Sequence, residues 1–260
     1  MVKISIITVN LNKAIGLKNT FNSVFRQSAK GFEYIVIDGE STDGSKELIK
    51  KNANRLTYWL SEKDRGVYHA MNKGISKATG EYLIFLNSGD HFINENILET
   101  ISTELDGTDI VYGDIFLIES STKSWAGHYP SRLSFQHFVE GSLPHPASFI
   151  KRTVFDKVGL YDESLKIVAD WKFFMDAICR FNVSYKHVDK TISVFYLDGL
   201  SSVAKNQALL QEEKRSVFIK DYPMFIENSH ELVVLRALKN NKAISIFVKA
   251  AKAFGWLKNM

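Results

Sequence analysis

The 260-residue chain is short of cysteine and proline and has no long apolar run. Its one cysteine, Cys179, excludes an internal disulfide and favours a reducing compartment. The apolar helical pattern around Cys179 predicts a small core residue. No segment approaches the roughly 20 apolar residues of a transmembrane helix, and the apolar start at residues 4–8 is too short for a signal peptide. We therefore expect a cytoplasmic protein.

Strong charge of either sign is also missing. The net charge is +4, which is too weak to predict nucleic-acid binding. Hydrophobic residues make up 45% and charged residues 24%, the balance of an ordinary globular protein. The length suits one large domain or two abutting halves.

Alternating apolar patterns predict an α/β protein with a mostly parallel, Rossmann-like central sheet and helices on both faces. Predicted strands cover residues 4–9, 34–37, 56–60, 82–86, 109–118 and 191–197. A first predicted helix begins at residue 14. The other predicted helices cover residues 46–51, 67–78, 95–104, 171–181 and 207–222. Asp43 is the predicted N-cap of the helix at 46–51. Residues 119–150 are predicted to be rich in loops.

The segment at residues 81–90 is the most informative one. A short apolar run bounded by glycines predicts a buried strand, and it ends in Asn87-Ser88-Gly89-Asp90. In open α/β sheets, ligands bind beyond the carboxyl ends of the strands. Asp90 could hold a hard cation such as Mg²⁺ there, with Gly89 allowing a sharp turn. The alternative is that Asp90 only completes a turn.

Polar residues also follow the first two predicted strands, with Thr8 and Asn10 after one and Asp38 after the other. These strand ends should converge on one edge that suits a phosphorylated ligand. The glycine-rich fingerprints of dinucleotide-binding proteins and of P-loop NTPases are both absent from the sequence.

Three motifs in order, I-S-I-I-T-V-N-L-N, Y-I-V-I-D-G-E-S-T-D-G-S and G-E-Y-L-I-F-L-N-S-G-D, resemble family 2 of the nucleotide-sugar glycosyltransferases, which have the GT-A fold. The resemblance covers roughly residues 3 to 200. It implies a catalytic domain at 1–205, with a nucleotide-sugar half at 1–115 and an acceptor half at 116–205. Residues 206–260 would form a C-terminal helical extension.

The resemblance also implies donor-binding residues: Thr8, Val9, Asn10, Asp38, Asp64, Arg65, Gly66, Asn72, Asn87, Ser88 and His145. In it, Asp38 accepts a base N–H, although Asp38 could instead only form the turn before Gly39. Arg65 would neutralise phosphate charge, or would be a solvated loop charge.

The metal motif departs from the family pattern. Many members carry an Asp-x-Asp-type triplet, whereas here Asn87 and Gly89 stand at the earlier acidic positions. Asp90 is left as the one acidic candidate ligand for Mg²⁺ or Mn²⁺. The cation is therefore expected to bind weakly until the substrate phosphates supply more oxygens.

On the acceptor side, G-L-Y-D-E followed by V-A-D-W resembles the family signature that contains the general base of inverting members. Asp170 matches that base, and an N-cap role for Asp170 is the alternative. Three further features complete the expected site. They are His145 between two prolines, Asp114 at the end of the strand segment 110–113, and a G-x-S-S-like segment at residues 199–202 that closes over the donor.

The predicted function is inverting transfer of a sugar from a nucleotide-diphosphate sugar to a hydroxyl of a glycan or lipid-linked acceptor, in cell-surface polysaccharide biosynthesis. A UDP-sugar is favoured and a GDP-sugar is possible. Two alternatives stay open: a nucleotidyltransferase, which would usually show a glycine-rich N-terminal loop, and a non-catalytic sugar-binding protein on the same fold.

The C-terminal residues 231–260 contain apolar and lysine positions at helical spacing. Ile244, Phe247 and Phe254 share one face, and Lys242 and Lys249 lie on the other. This pattern predicts a helix that either rests on anionic lipid at the inner face of the plasma membrane or docks on the catalytic domain.

Overall fold

The structure, a computed structural model, describes residues 4–225. Its strands are β1 (Ile4–Asn10), β2 (Glu33–Asp38), β3 (Tyr58–Ser61), β4 (Tyr82–Phe85), β5 (His91–Phe92), β6 (Ile110–Ser120), β7 (Lys123–Gly127), β8 (Ser148–Lys151) and β9 (Tyr185–Tyr196). Its α-helices are α1 (Ala14–Phe25), α2 (Ser45–Lys51), α3 (Val67–Lys77), α4 (Ile97–Ser102), α5 (Phe135–Glu140), α6 (Arg152–Val158), α7 (Ala169–Met175) and α8 (Gln207–Asp221).

One sheet contains these strands in the order β3-β2-β1-β4-β8-β6-β9-β5, with β7 paired to β6. The four strands β3, β2, β1 and β4 are parallel to one another, and so are β6 and β9. The predicted α/β class with a mostly parallel central sheet is confirmed. The carboxyl ends of β1, β2, β3 and β4 therefore meet at one edge of the sheet.

Strand β1 is buried on both faces, which explains why its sequence is mainly apolar and does not alternate with exposed polar residues. Ile6 belongs to the core cluster that also contains Leu17 and Phe21 of α1. Ile7 points to the opposite face, where its Cγ2 atom would lie 2.5 Å from a side-chain carbon placed on Gly74 of α3. The glycine lets α3 approach the sheet closely, so helices cover both faces of β1.

The prediction of a loop-rich segment at 119–150 is wrong. Strand β6 continues to Ser120 and forms an antiparallel hairpin with β7, and α5 and β8 follow. Most of β7 is exposed on both faces, so it lacks the apolar alternation that identifies a strand from sequence.

The predicted helix at 171–181 begins earlier, at Ala169, and changes to a π-helical turn at Asp176–Arg180. A π turn rotates the residues that follow it relative to the α-helical face. Cys179 consequently lies exposed, so its assignment to the core is wrong. The N-cap of α7 is Val168, so the alternative role of Asp170 as N-cap is also wrong.

The chain separates into two compact units, with the boundary between Gln207 and Ala208. The proposed domains 1–205 and 206–260 and the two catalytic halves stay predictions. The predicted lipid-binding or docked helix lies outside the described residues. Within residues 4–225, no helix has the length and hydropathy needed to cross a bilayer.

Candidate active site

Asp38 lies at the carboxyl end of β2 and is fully buried. One carboxylate oxygen accepts from Asn10 Nδ2 at 2.7 Å and from Ser41 Oγ at 2.6 Å. The other accepts from the Ser41 backbone N–H at 3.1 Å and from Ser61 Oγ at 2.7 Å. Asp38 therefore joins the ends of β1, β2 and β3, and its contact with a base stays a prediction.

Thr8 and Val9 join β1 to the end of β4. The Thr8 hydroxyl donates to the Leu86 carbonyl at 2.7 Å, and the Val9 carbonyl accepts from the Ser88 N–H at 3.2 Å.

The predicted N-cap at Asp43 is shifted by one residue, because Gly44 is the N-cap of α2. The Asp43 carboxylate still accepts from the backbone N–H groups of Ser45 and of Ala14, so it serves the starts of two helices.

Asp64 follows β3 and carries an unsatisfied oxygen. Its side chain is 9% exposed, and its Oδ1 atom accepts from Lys73 Nζ at 2.6 Å and contacts His69 Nδ1 at 3.1 Å. Its Oδ2 atom is buried and has no hydrogen-bond partner in the described chain. A side-chain carbon on Gly39 would lie 3.3 Å from that oxygen. The free acceptor therefore faces the backbone next to Asp38.

The turn at residues 87–90 is held by a hydroxyl of α1. Thr20 Oγ1 accepts from the Gly89 N–H at 3.0 Å and donates to the Asp90 carbonyl at 2.8 Å. Gly89 has a φ of +111°, which glycine adopts without strain, so its predicted role in a sharp turn is confirmed. The turn is thereby fixed against α1.

Asp90 is 7% exposed, and burial raises the pKa of its carboxyl to about 8, against the opposing effect of the Lys13 ammonium. The Asn87 Oδ1 and Ser88 Oγ atoms nearby in the chain are buried without partners in the described residues. These hard oxygen donors fit Mg²⁺ or Mn²⁺. No cluster of three acidic, histidine or cysteine side chains able to hold a metal occurs within residues 4–225, so these donors would need oxygens from a substrate.

Three side chains, those of Arg65, Asn72 and Tyr68, fasten the segment at residues 161–170 to α3 and the loop before it. Arg65 Nη2 pairs with Glu163 Oε2 at 2.6 Å. Asn72 donates to the Tyr161 carbonyl and accepts from the Tyr161 N–H, at 2.9 and 3.0 Å. Arg65 and Asn72 thus have structural partners, and their predicted contacts with a nucleotide stay untested.

Tyr68, the third of these side chains, positions Asp170. The Tyr68 hydroxyl lies 2.8 Å from Asp170 Oδ1 and 2.6 Å from the Ile167 carbonyl, and its single proton can serve either acceptor. Burial and then the Asp170 charge raise the pKa of Tyr68 well above its ordinary value, so the hydroxyl stays protonated. The Asp170 carboxylate is consequently oriented by Tyr68, and it is part-buried and not fully enclosed.

His145 is buried among aromatic rings. It stacks on Phe85 with centroids 4.8 Å apart, and its Nε2 atom lies 2.8 Å from the Tyr161 hydroxyl. Burial lowers the pKa of His145, although the Asp170 charge raises it in part. A neutral imidazole in this setting supports the aromatic layer beneath Asp170, and its predicted donor contact stays untested.

Asp114 lies inside β6, which continues to Ser120, so the expectation that Asp114 follows the end of a strand is wrong. Its buried carboxylate is 2.9 Å from His187 Nε2 and 2.5 Å from His128 Nδ1. Burial raises the pKa of Asp114, but the hydrogen bonds from His187 and His128 outweigh that effect, and the pKa lies below the ordinary 3.8.

We expect Asp114→Asn to lower the free energy of unfolding at pH 7 by about 1.5–3 kcal/mol, the range for a hydrogen bond to a charged group. Since the folded-state pKa is depressed, the stabilisation is present above the ordinary value of 3.8 and is lost as pH falls through the folded value. Urea unfolding at pH 7 and below pH 4 measures this. The exposed Asp189→Asn is the control, and a pH-independent difference would contradict the assignment.

Sequence patterns missed two residues that organise the site, Tyr68 and Thr20. Thr20 lies on the otherwise apolar face of α1 beside Leu17 and Phe21, and a hydroxyl in such a stripe is a usable signal. Tyr68 gives no such signal, because its partner Asp170 is 102 residues away.

The chain is similar to known glycosyltransferases. Residues 5–159 match the model of Glycosyl transferase family 2. The chain is 28% identical over 260 residues to a PGL/p-HBAD biosynthesis glycosyltransferase of Mycobacterium tuberculosis, covering 97% of this chain and 96% of that protein. It is 34% identical over 180 residues to an uncharacterized glycosyltransferase of the same species, covering 67% and 68%.

Two solved structures share the fold. Residues 1–349 of S. aureus TarS in complex with UDP align with a TM-score of 0.62 at 20% identity, over 75% of this chain and 60% of that one. The mannosyltransferase PcManGT of Pyrobaculum calidifontis, in complex with GDP-Man and Mn²⁺, aligns with a TM-score of 0.57 at 13% identity, over 98% and 81%. The family match, the relatives and the fold agree, and the chain belongs to Glycosyl transferase family 2.

Proposed function

We propose that the chain transfers one sugar from a nucleotide-diphosphate sugar to a hydroxyl of a glycan or lipid-linked acceptor, with inversion. The observation that carries the proposal is the part-buried carboxylate of Asp170, which is oriented by Tyr68 of the helix that follows Asp64-Arg65-Gly66. A non-catalytic sugar-binding protein would not need such an oriented base. The processive-synthase signature Gln-x-x-Arg-Trp is absent from the sequence, which favours addition of a single sugar.

The transfer step is a single displacement. Asp170 takes the proton of the acceptor hydroxyl, and the acceptor oxygen forms a bond to the anomeric carbon of the donor sugar. The bond from that carbon to the phosphate oxygen breaks, and its electron pair leaves with the nucleotide diphosphate. Attack from the face opposite the leaving group inverts the anomeric configuration.

Asp90, with the oxygens of Asn87 and Ser88, would hold Mg²⁺ or Mn²⁺. A bound divalent cation supplies charge neutralisation for the departing diphosphate. The Mn²⁺ in the PcManGT complex supports a cation in this fold. The chain's own contribution is the buried turn that Thr20 fixes.

Asp64 would bind the nucleobase of the donor. All four hydrogen bonds to Asp38 come from the protein itself, whereas Asp64 Oδ2 is a buried acceptor that lacks a partner in the described residues. A base N–H lying over Gly39 would satisfy that oxygen. Uracil offers one such N–H group, and the UDP complex of TarS supports a uracil donor. The GDP-Man complex of PcManGT keeps a GDP-sugar as the second candidate.

The proposal is tested by thermal shift of residues 1–260 with UDP- and GDP-sugars, with and without Mn²⁺. We expect one nucleotide series to raise the unfolding temperature, and more so with Mn²⁺, because a ligand that binds only the folded state stabilises it. No shift with any nucleotide sugar would refute the function.

Asp64→Ala should weaken binding of the preferred nucleotide about tenfold or more, the loss that accompanies removal of a charged hydrogen-bond acceptor. Glu62→Ala is the matched control, because Glu62 also pairs with Lys73 at 2.6 Å but lies half exposed. Isothermal titration calorimetry of both variants measures the effect. Equal losses would show that Lys73, and not the free Asp64 oxygen, accounts for the change.

A further inference from the structure

Lys13 places a positive charge against the turn that contains Asp90. Its Nζ atom would lie 3.0 Å from a side-chain carbon placed on Gly89, so the ammonium lies over the backbone one residue before Asp90. The same atom is 2.9 Å from the Asp198 Oδ1 atom, in the segment that follows β9. Lys13 therefore lies between the Asp90 turn and Asp198.

The Lys13–Asp198 pair is easily exchanged. The two side chains are 38% and 60% exposed, and exposed ion pairs add little to stability. A diphosphate carries more charge than a carboxylate and offers several oxygens, so it competes well for an ammonium group. By contrast, the first amide of α1 is already occupied, because the Ala14 N–H donates to Asp43 at 2.7 Å. The Lys13 ammonium is thus a charged donor at this end of α1 that a diphosphate can engage in place of Asp198.

We propose that Lys13 binds the diphosphate of the donor, and that Asp198 holds Lys13 until the donor arrives and displaces it. The inference rests on the proposed function and adds a second cationic partner for the diphosphate beside the cation on Asp90. It explains how a turn with one carboxylate can serve a leaving group that carries several negative charges. Asp198 acts here as a competitor of the donor.

The two members of the pair should change affinity in opposite directions. Lys13→Met should weaken binding of UDP about tenfold or more, because it removes a charge-assisted hydrogen bond. Asp198→Asn should strengthen UDP binding several-fold, because the carboxylate no longer competes. Neither variant should alter binding of uridine, which has no phosphate. Lys18→Met, an exposed lysine of the same helix, is the control.

Calorimetry measures UDP binding with and without Mn²⁺, and ligand-observed NMR measures the weaker uridine binding. GDP and guanosine replace them if the wild type prefers guanine. Unchanged UDP affinity in Lys13→Met, reduced affinity in Asp198→Asn, or an equal loss of uridine binding would each overturn the inference and leave the proposed function intact. A wild-type protein that binds neither UDP nor GDP would overturn the proposed function itself.

Discussion

Replacing Asp170 with asparagine should reduce sugar transfer by about 10²–10⁴-fold, the contribution of a positioned general base. Asparagine keeps an oxygen that can accept from the Tyr68 hydroxyl, so the local geometry should survive, but it cannot take the acceptor proton. Nucleotide binding should stay within about twofold of wild type, because Asp170 contacts the acceptor and not the donor in the proposed step. Initial rates of transfer and calorimetry of nucleotide binding measure the two effects.

Asp156→Asn, an exposed change on α6, is the control for removing one negative charge. Near-normal turnover in Asp170→Asn would remove Asp170 as the base. Loss of nucleotide binding together with turnover would indicate a structural role instead, since Asp170 is tied through Tyr68 to the helix that follows Asp64.

Asp90→Asn should lower kcat/KM by about 100-fold or more, a typical cost of removing one group that stabilises charge in the transition state. The same change should leave the thermal unfolding midpoint at pH 7 unchanged or raise it. Burial raises the folded-state pKa of Asp90 to about 8, so ionisation of this carboxyl costs stability as pH rises above its ordinary 3.8. Asparagine removes that cost, and activity assays with Mn²⁺ and thermal unfolding test both parts.

Asp106→Asn is a control in which the pKa of the carboxyl is shifted in the opposite direction. Hydrogen bonds from Thr108 and Lys186 lower the pKa of Asp106 to about 2, so its loss should reduce stability slightly and leave activity unchanged. If Asp90→Asn were active, or were much less stable than wild type, Asp90 would be a structural residue and not part of the donor site.

The first half of the fold is predictable because its strands are buried on both faces. Residues 34–37 and 82–86 are uninterrupted apolar runs, and residues 4–9 are apolar except for Ser5 and Thr8. Each segment is followed by polar residues that mark the carboxyl edge of the sheet. The family motifs fall at these same ends, so the location of the proposed donor site follows from sequence.

The second half is less predictable because its structure depends on contacts between distant residues. The exposed hairpin strand β7 is paired with β6 without an apolar face of its own. The Lys13–Asp198 pair joins residues 185 positions apart. No local pattern reports such partners, and the individual side chains that complete the site are therefore visible only in the folded chain.

The Thr20 hydroxyl has a mechanical consequence for the enzyme. It bonds to backbone groups of both Gly89 and Asp90, so the turn is coupled to a twelve-residue helix that is buried along Leu17, Phe21 and Val24. Displacing the turn would require either breaking both bonds or shifting the helix against the core. The turn at residues 87–90 is therefore held rigidly against the core, although it lies at the end of a strand, where loops are usually mobile.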